Sequence, residues 1–200
     1  MKTADIAWKE LLVAHLQKVV EVSIEEAETF ASCFKLTAIK KGQYVVQPGF
    51  TAKYKNYVFK GAFRAYVIDD AGNDHTVSFA IEDWWISDYN SYIYQQPATM
   101  FVVALEDSLV LQLEYDKEQQ LKSSHHRLET FFRIVAERGL AFHQRRIISN
   151  LMHSAEERYD YFLEKYPAIA SRVPQYTLAS YLGMTKQFLS RIRHKKGAKK

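Results

Sequence analysis

The segment LASYLGMTKQFLSRIRHKK, residues 178–196, places hydrogen-bond donors on an apolar framework and contains no carboxylate. Lysine and arginine donate to phosphate oxygens and to guanine O6 and N7, and glutamine can bridge adenine N6 and N7. A helix beginning near residue 185 would expose a face formed by Lys186, Gln187, Ser190, Arg191, Arg193 and His194. These residue types favour recognition of a nucleic acid.

The same segment has the spacing of two helices joined by a tight turn. Ala179 is followed after four residues by Gly183 and, after six more, by Leu189. A small residue lets the helices cross closely, glycine permits the turn, and the aliphatic side chain fills the core between them. Thr185 is a suitable N-cap for the second helix. We therefore predict a helix-turn-helix, and the second helix is expected to bury Phe188, Leu189 and Ile192.

A recognition helix enters the major groove with its N-terminus first, so its early exposed residues meet base edges while flanking groups meet phosphates. We expect base contacts from Lys186, Gln187 and Arg191. Phosphate contacts are expected from Thr185, Ser190, Arg193, Lys195 and Lys196. A basic helical subdomain with no DNA to bind is the alternative that spacing alone leaves open.

The distribution of charge supports a polyanionic partner. The formal net charge is +4, yet no Asp or Glu follows Glu164, while nine Lys and Arg residues do. The first 164 residues carry the other 18 cations and all 23 acids, a net charge of −5. A basic C-terminal unit attached to a mildly acidic body is typical of proteins that bind nucleic acid.

The elements that must position this unit fall into three regions. Residues 5–20 have helical apolar spacing, and Ser23 with Glu26 forms a capping box for a second helix. Residues 36–113 contain short runs rich in aromatic and β-branched residues, separated by turns such as DDAGND at 69–74. This pattern predicts an antiparallel β-roll, jelly roll or barrel.

The segment from 115 to 165 returns to helical spacing. Leu128, Phe132, Val135, Phe142 and Ser149 fall close to a three/four alternation, which predicts a helix of about 25 residues that pairs with a second copy. Burial of this helix against its own β-domain is the alternative. Residues 167–174, bounded by two prolines, are expected to be a linker. The expected domains are a sensing domain over 1–124, a dimerisation helix over 125–153 and a DNA-binding domain over 154–200.

Other classes of protein fit the sequence poorly. Cys33 is the single cysteine of the chain, so a cysteine-rich metal site cannot form. His75 is the single histidine between residues 36 and 113, so the β-region lacks the histidines of a cupin-like metal site. No Gly-rich phosphate loop or nucleophile elbow occurs. No apolar run approaches the length of a membrane span. We expect a soluble cytoplasmic protein, not an enzyme, with no metal or cofactor.

A helical hairpin, a β-roll, a long helix and a C-terminal helix-turn-helix, in this order, resemble the Crp/Fnr family of bacterial transcription regulators. The resemblance rests chiefly on residues 82–113 and 176–196. It implies an α+β fold with a cyclic-nucleotide-binding-like β-roll, or double-stranded β-helix. It also implies a homodimer joined through the long helix and a palindromic site on double-stranded DNA. RNA polymerase would be a further partner if the protein is an activator.

The family's cyclic-nucleotide members bind their ligand with a Gly-Glu pair and, further along, an Arg-Ser or Arg-Thr pair. The corresponding residues here are Ser87-Asp88 and Ala98-Thr99, so the phosphate-binding arginine is missing. A buried phosphate would lose its main compensating interaction. We therefore expect a degenerate pocket that does not use cyclic AMP, with an unidentified effector contacting Trp85, Ser87, Asp88, Ala98 and Thr99.

Two further alternatives stay open on the sequence. Lys53, Lys55 or Arg64 could replace the missing arginine, although nothing in the spacing singles one out. The chain could also be a protein-interaction module that has kept the fold, lost its effector and acts through partner proteins.

Overall fold

The structure of the chain is a computed structural model, which describes the backbone of residues 2–197 and the side chains of residues 8–195. Lys196, one of the expected phosphate contacts, therefore lies outside the described side chains. The chain begins with helices α1 (Lys2–Gln17) and α2 (Ile24–Ser32). The predicted capping box of α2 is present: Ser23 N–H donates to Glu26 Oε2 at 2.9 Å, and Glu26 N–H donates to Ser23 Oγ at 3.1 Å.

Eight antiparallel strands follow. They are β1 (Phe34–Ile39), β2 (Tyr44–Val46), β3 (Tyr54–Lys60), β4 (Phe63–Ile68), β5 (Asp74–Ala80), β6 (Trp85–Ile86), β7 (Phe101–Ala104) and β8 (Ser108–Glu114). The sequence did not predict the short helix α3 (Tyr89–Tyr94), which lies between β6 and β7. The strands form two four-stranded sheets, with the orders β1-β8-β3-β6 and β2-β7-β4-β5.

Two apolar clusters hold the sheets and the N-terminal helices. The first lies between the sheets and includes the fully buried Val58, Phe63, Val102 and Val110. At its edge Gly61 has a φ of +116°, and a Cβ there would lie 2.8 Å from the Cα of Ser108, so only glycine fits. The second cluster packs α1 and α2 on the outer face of the β1-β8-β3-β6 sheet.

The long helix of the chain is α5 (His126–Met152), which follows α4 (Tyr115–Ser124). Its 27 residues span about 40 Å at a rise of ~1.5 Å per residue. The expectation that Leu128 and Phe132 point to a second copy is wrong, because both are buried, with Phe131, against α2 and the β-domain of their own chain. The exposed apolar residues of α5 lie nearer its C-terminus.

Four further helices follow within the described residues: α6 (Ala155–Lys165), α7 (Pro167–Arg172), α8 (Gln175–Tyr181) and α9 (Lys186–Gly197). The expected linker at 167–174 is therefore wrong. Pro167 occupies the first turn of α7, where its missing N–H costs nothing, and Ile169 is buried in the C-terminal core. Within residues 2–197, none of the helices combines the length and apolarity needed to cross a membrane.

Candidate nucleic-acid interface

The turn between α8 and α9 has the geometry that its sequence predicts. Gly183 has a φ of +67°, a conformation that glycine adopts without strain. Met184 N–H donates to the carbonyl of Ala179 at 3.0 Å, which closes the turn. Thr185 Oγ1 accepts the N–H of Phe188 at 3.1 Å and so caps α9. These contacts fix where the second helix starts and which way it points.

The buried face of α9 is narrower than the sequence indicated. Leu189 and Ile192 are buried against α6 and α8, as predicted. Phe188 is 36% exposed, so its predicted burial is wrong. Successive helical residues are rotated by about 100°, which places Phe188 on the flank of the face that Leu189 occupies. The guanidinium of Arg191 lies over the Phe188 ring, 5.4 Å from its centroid.

All seven expected DNA-contacting residues that the structure describes are exposed: Thr185, Lys186, Gln187, Ser190, Arg191, Arg193 and Lys195. Helical geometry divides six of them by direction. Gln187, Ser190 and Arg191 lie opposite the buried face, Lys186 and Arg193 lie on one flank, and Lys195 lies on the other.

One residue of the outward face was not given a role by sequence reasoning. His194 is exposed and follows Gln187 by seven residues and Ser190 by four, so it shares their direction. Helical spacing in the sequence already places His194 on the exposed face, but without assigning it a contact. Lys195 forms an ion pair, with its Nζ 3.2 Å from Glu156 Oε1. Both side chains are exposed, and such surface ion pairs contribute little to the stability of the folded state.

The helices beneath α9 are held by a third apolar cluster that also contains Phe79 of β5. Hydrogen bonds also join α8 to β5. Ser180 Oγ of α8 donates to the carbonyl of Asp74 at 2.9 Å and accepts the N–H of Thr76 at 2.8 Å. The first helix of the pair is therefore docked on the β-domain, and α9 is carried on its outer side.

An ion-pair cluster anchors α7 to the β-domain. Arg172 donates to both carboxylate oxygens of Glu82, at 2.6 and 3.0 Å, and also to Glu106. The hydrogen bonds from Arg172 lower the pKa of Glu82 from its usual 4.5 to about 2. A carboxyl with a depressed pKa stabilises the folded state fully above pH 4.5, and this contribution is lost as the pH falls toward 2.

The structure brings four of the five expected effector-contacting residues together: Ser87, Asp88 and Ala98 are buried, and Thr99 beside them is exposed. Asp88 is fully buried, and its carboxylate accepts the backbone N–H groups of Ser91 at 3.1 Å, Thr99 at 2.9 Å and Met100 at 3.1 Å. Ser87 Oγ donates to the carbonyl of Tyr54 at 2.9 Å. Ala98 is buried in the core between the sheets. The polar groups at these positions are thus bonded to the chain itself.

Trp85 does not join that group. Side chains alternate across a strand, so Trp85 faces the outer cluster while Ile86 faces the core between the sheets. The indole packs near Tyr57, Phe131 and Phe132, with ring centroids 5.2 to 6.5 Å apart.

Two of the three cations that could have replaced the missing arginine are already paired. Lys55 Nζ lies 2.8 Å from Glu118 Oε1 in a buried ion pair. Arg64 Nη1 lies 2.8 Å from Asp74 Oδ2, and its Nε donates to Thr76 Oγ1 at 2.9 Å. Lys53 is exposed.

Comparison with protein-family models gives no match, and comparison with curated proteins gives none either. Solved structures do match. The c-di-GMP responsive global regulator CLP of Xanthomonas campestris aligns with a TM-score of 0.70 and 16% identity, over 88% of this chain and 93% of that one. FixK2 of Bradyrhizobium japonicum aligns with a TM-score of 0.74 and 15% identity, over 83% and 85% of the two chains.

A transcriptional regulator of the Crp/Fnr family from Eubacterium rectale aligns with a TM-score of 0.69 and 14% identity, over 89% of this chain and 85% of that one. At such low identity a structural match is evidence of fold, while function has to be argued from the site. The two antiparallel sheets, the helices that flank them and the C-terminal helices together give this chain the fold of the Crp/Fnr transcription regulators.

Proposed function

We propose that the chain is a homodimeric transcription regulator of the Crp/Fnr type that binds double-stranded DNA by inserting α9 into the major groove. The observation that carries this proposal is the exposed face of α9. It presents cations, an amide, a hydroxyl and an imidazole without a carboxylate, and the helix beneath it is fixed to a buried core. Such a surface matches the charge and the hydrogen-bond pattern of a DNA groove.

The roles of the individual residues follow from their directions. Gln187 and Arg191 point away from the core and would read base edges, with Lys186 beside them at the start of the helix. His194 shares their face and adds a fourth candidate. The remaining polar residues of the surface would hold phosphates and set the register on the duplex: Thr185, Ser190, Arg193 and Lys195.

The proposed dimer contact lies on the C-terminal half of α5. Leu140, Ile147 and Leu151 are 71%, 60% and 78% exposed, and their spacing of seven and then four residues forms one stripe. Pairing of this stripe with its copy would bury apolar side chains that the monomer leaves in water. A two-fold dimer presents two recognition helices, so its DNA site would be palindromic, with half-sites about 34 Å apart.

The β-domain would sense a signal other than cyclic AMP. Asp88 is engaged by backbone N–H groups, and Ala98 stands where the family's cyclic-nucleotide members have arginine, so a phosphate at this place would find no cation. If the regulator is an activator, RNA polymerase would be its protein partner.

Salt dependence of DNA binding tests the proposal. Release of counterions from about 6–10 phosphate contacts lowers affinity by roughly 10³ to 10⁵ between 50 and 200 mM salt. We expect electrophoretic mobility shifts of genomic fragments to be strong at the lower salt concentration and lost at the higher one. Failure to retard any genomic fragment at low salt would instead favour the protein-interaction module.

A further inference from the structure

A cavity of about 270 Å³ lies where α5, α6 and the C-terminal end of α8 meet. The proposed DNA-binding face and the β-domain residues at 85–99 do not line it. Its volume is close to the lower limit of ~300 Å³ for small-molecule sites. The lining residues that matter for its chemistry are Phe142, Arg145, Arg146, Arg158, Tyr166 and Tyr181.

Two of the arginines in the wall bind backbone carbonyls. Arg146 donates through Nη1 to Val77 and through Nη2 to Thr76 at 3.0 Å and to Tyr181 at 3.1 Å. Arg158 donates through Nε and Nη2 to the carbonyl of Leu182 at 3.1 and 2.9 Å. A carbonyl accepts a hydrogen bond but supplies no counter-charge.

The three arginines of the wall have no carboxylate partner within residues 8–195. Among the described side chains, those of residues 8–195, none of the carboxylates forms an ion pair with Arg145, Arg146 or Arg158. Glu157 also lines the cavity, but its carboxylate accepts the N–H of Ser154 at 2.8 Å as part of the α6 cap. Three arginines and one glutamate line the cavity, so its described side chains give it a net positive charge.

Arg146 has an unused donor as well. Its Nε is buried and has no acceptor among the described residues. Burial lowers the pKa of Arg146, because desolvation disfavours its charged form. An anion in the cavity would supply the counter-charge that the partly buried Arg146 lacks among the described side chains.

Aromatic side chains form a second part of the wall. The Phe142 and Tyr166 rings are packed edge to face, with centroids 6.2 Å apart. The centroids of the Phe162 and Tyr181 rings lie 5.4 Å apart. The Arg146 guanidinium lies over the Tyr181 ring at 4.2 Å, so one wall combines charge with a flat π surface. A ring that carries an acidic group fits these walls better than a sugar or a bare inorganic anion, because apolar aromatic surface favours a flat apolar body.

The proposed dimer would leave this cavity accessible. Phe142, Arg146 and Ser149 lie on one face of α5, and Leu140 and Ile147 lie on roughly the opposite face at about 100° per residue.

We propose that this cavity binds a small aromatic acid, with its acidic group at Arg145 and Arg146 and its ring against the Phe142 and Tyr166 side chains. This part of the proposal rests on the proposed function: a ligand in the cavity would change the affinity of the chain for DNA. Arg146 and Arg158 hold the carbonyls of Tyr181 and Leu182, which immediately precede the turn into α9. A ligand that draws either guanidinium toward the cavity would shift the start of the recognition helix.

Isothermal titration calorimetry of the full chain with 2-naphthoate tests the site without DNA. We expect one saturable site per chain and binding of the neutral isostere 2-naphthamide that is at least about tenfold weaker, since one charge-assisted hydrogen bond is worth that much. Arg145→Gln, at an exposed position, should weaken 2-naphthoate binding by a similar factor, and Ser149→Phe should abolish it by filling the cavity. Arg138→Gln, on the same helix but outside the cavity, is the matched control.

The site is refuted if 2-naphthoate does not bind, or if it binds the Arg145→Gln chain as tightly as the unchanged chain. Coupling to DNA is measured separately, as the affinity for a bound duplex with and without saturating 2-naphthoate. We expect a change of about fivefold or more. An unchanged affinity would overturn the coupling alone. Loss of DNA binding by every form of the chain would refute the proposed function and leave the calorimetric result standing.

Discussion

Replacing both Lys186 and Arg191 with alanine is expected to lower the affinity for a specific DNA duplex by about a thousandfold or more. A good base contact from lysine or arginine is worth about 1–3 kcal/mol, and a dimer would lose two such contacts in each half-site. Both residues are exposed and neither forms an ion pair among the described side chains, so the fold should be unaffected. Fluorescence anisotropy with a labelled duplex measures the loss.

The matched control removes two cations elsewhere on the molecule. Lys18, which directly follows α1, and Lys35 on β1 are both exposed and lie outside α8 and α9. The Lys18→Ala/Lys35→Ala chain has the same net charge as the test variant and should bind DNA nearly as well as the unchanged chain. Equal losses in the two variants would mean that α9 contributes only its charge, which would contradict its role in base reading.

The second large effect concerns the apolar stripe of α5. Changing Ile147 and Leu151 to aspartate should convert a dimer to a monomer, because four carboxylates would then meet across the two-fold axis. The two side chains are 60% and 78% exposed, so the substitutions leave the core of the chain intact. Losing the second recognition helix removes the avidity of a bivalent site and should reduce DNA affinity by roughly 10² to 10⁴.

Sedimentation velocity gives the oligomeric state and anisotropy gives the affinity of the same samples. Ile24 and Ile93 are also exposed isoleucines, at 81% and 54%, on helices outside the stripe. The Ile24→Asp/Ile93→Asp chain should therefore remain a dimer. A stripe variant that still sediments as a dimer would show that the subunits meet elsewhere.

The sequence predicted the local features of this fold well, since local signals determine them. Ser23 and Glu26 identify a helix start because both halves of a capping box lie within four residues. The turn predicted at DDAGND contains Gly72 with a φ of +82°, a conformation that glycine adopts without strain. Gly183 and Thr185 predict the turn and cap of α9 for the same reason.

The sequence was less informative where an apolar side chain could pack either on its own domain or on a second copy of the chain. Leu128 and Phe132 have the spacing of a dimer seam, but the outer face of their own β-domain covers them first. Residues 167–174 looked like a linker because of their prolines, although the partners that bury α7 come from elements distant in sequence. Tertiary contacts decide such cases, and periodicity cannot report them.

Some features of the candidate site follow from local sequence, and others depend on tertiary contacts. Exposure of Lys186, Gln187 and Arg191 follows from helical spacing and could be predicted. The direction of Trp85 depends on which face of β6 it takes, and the pairing of Lys55 with Glu118 joins residues 63 positions apart. The three arginines around the cavity are likewise brought together only by the packing of separate helices.

The central claim is that α9 of a two-fold dimer reads DNA sequence. Repeated selection of bound duplexes from random DNA by the purified chain tests it directly. We predict enrichment of a palindrome whose half-sites lie about one helical turn, ~34 Å, apart, and loss of that enrichment in the Lys186→Ala/Arg191→Ala chain. Enrichment of no sequence, or the same sequence selected by both chains, would contradict the account.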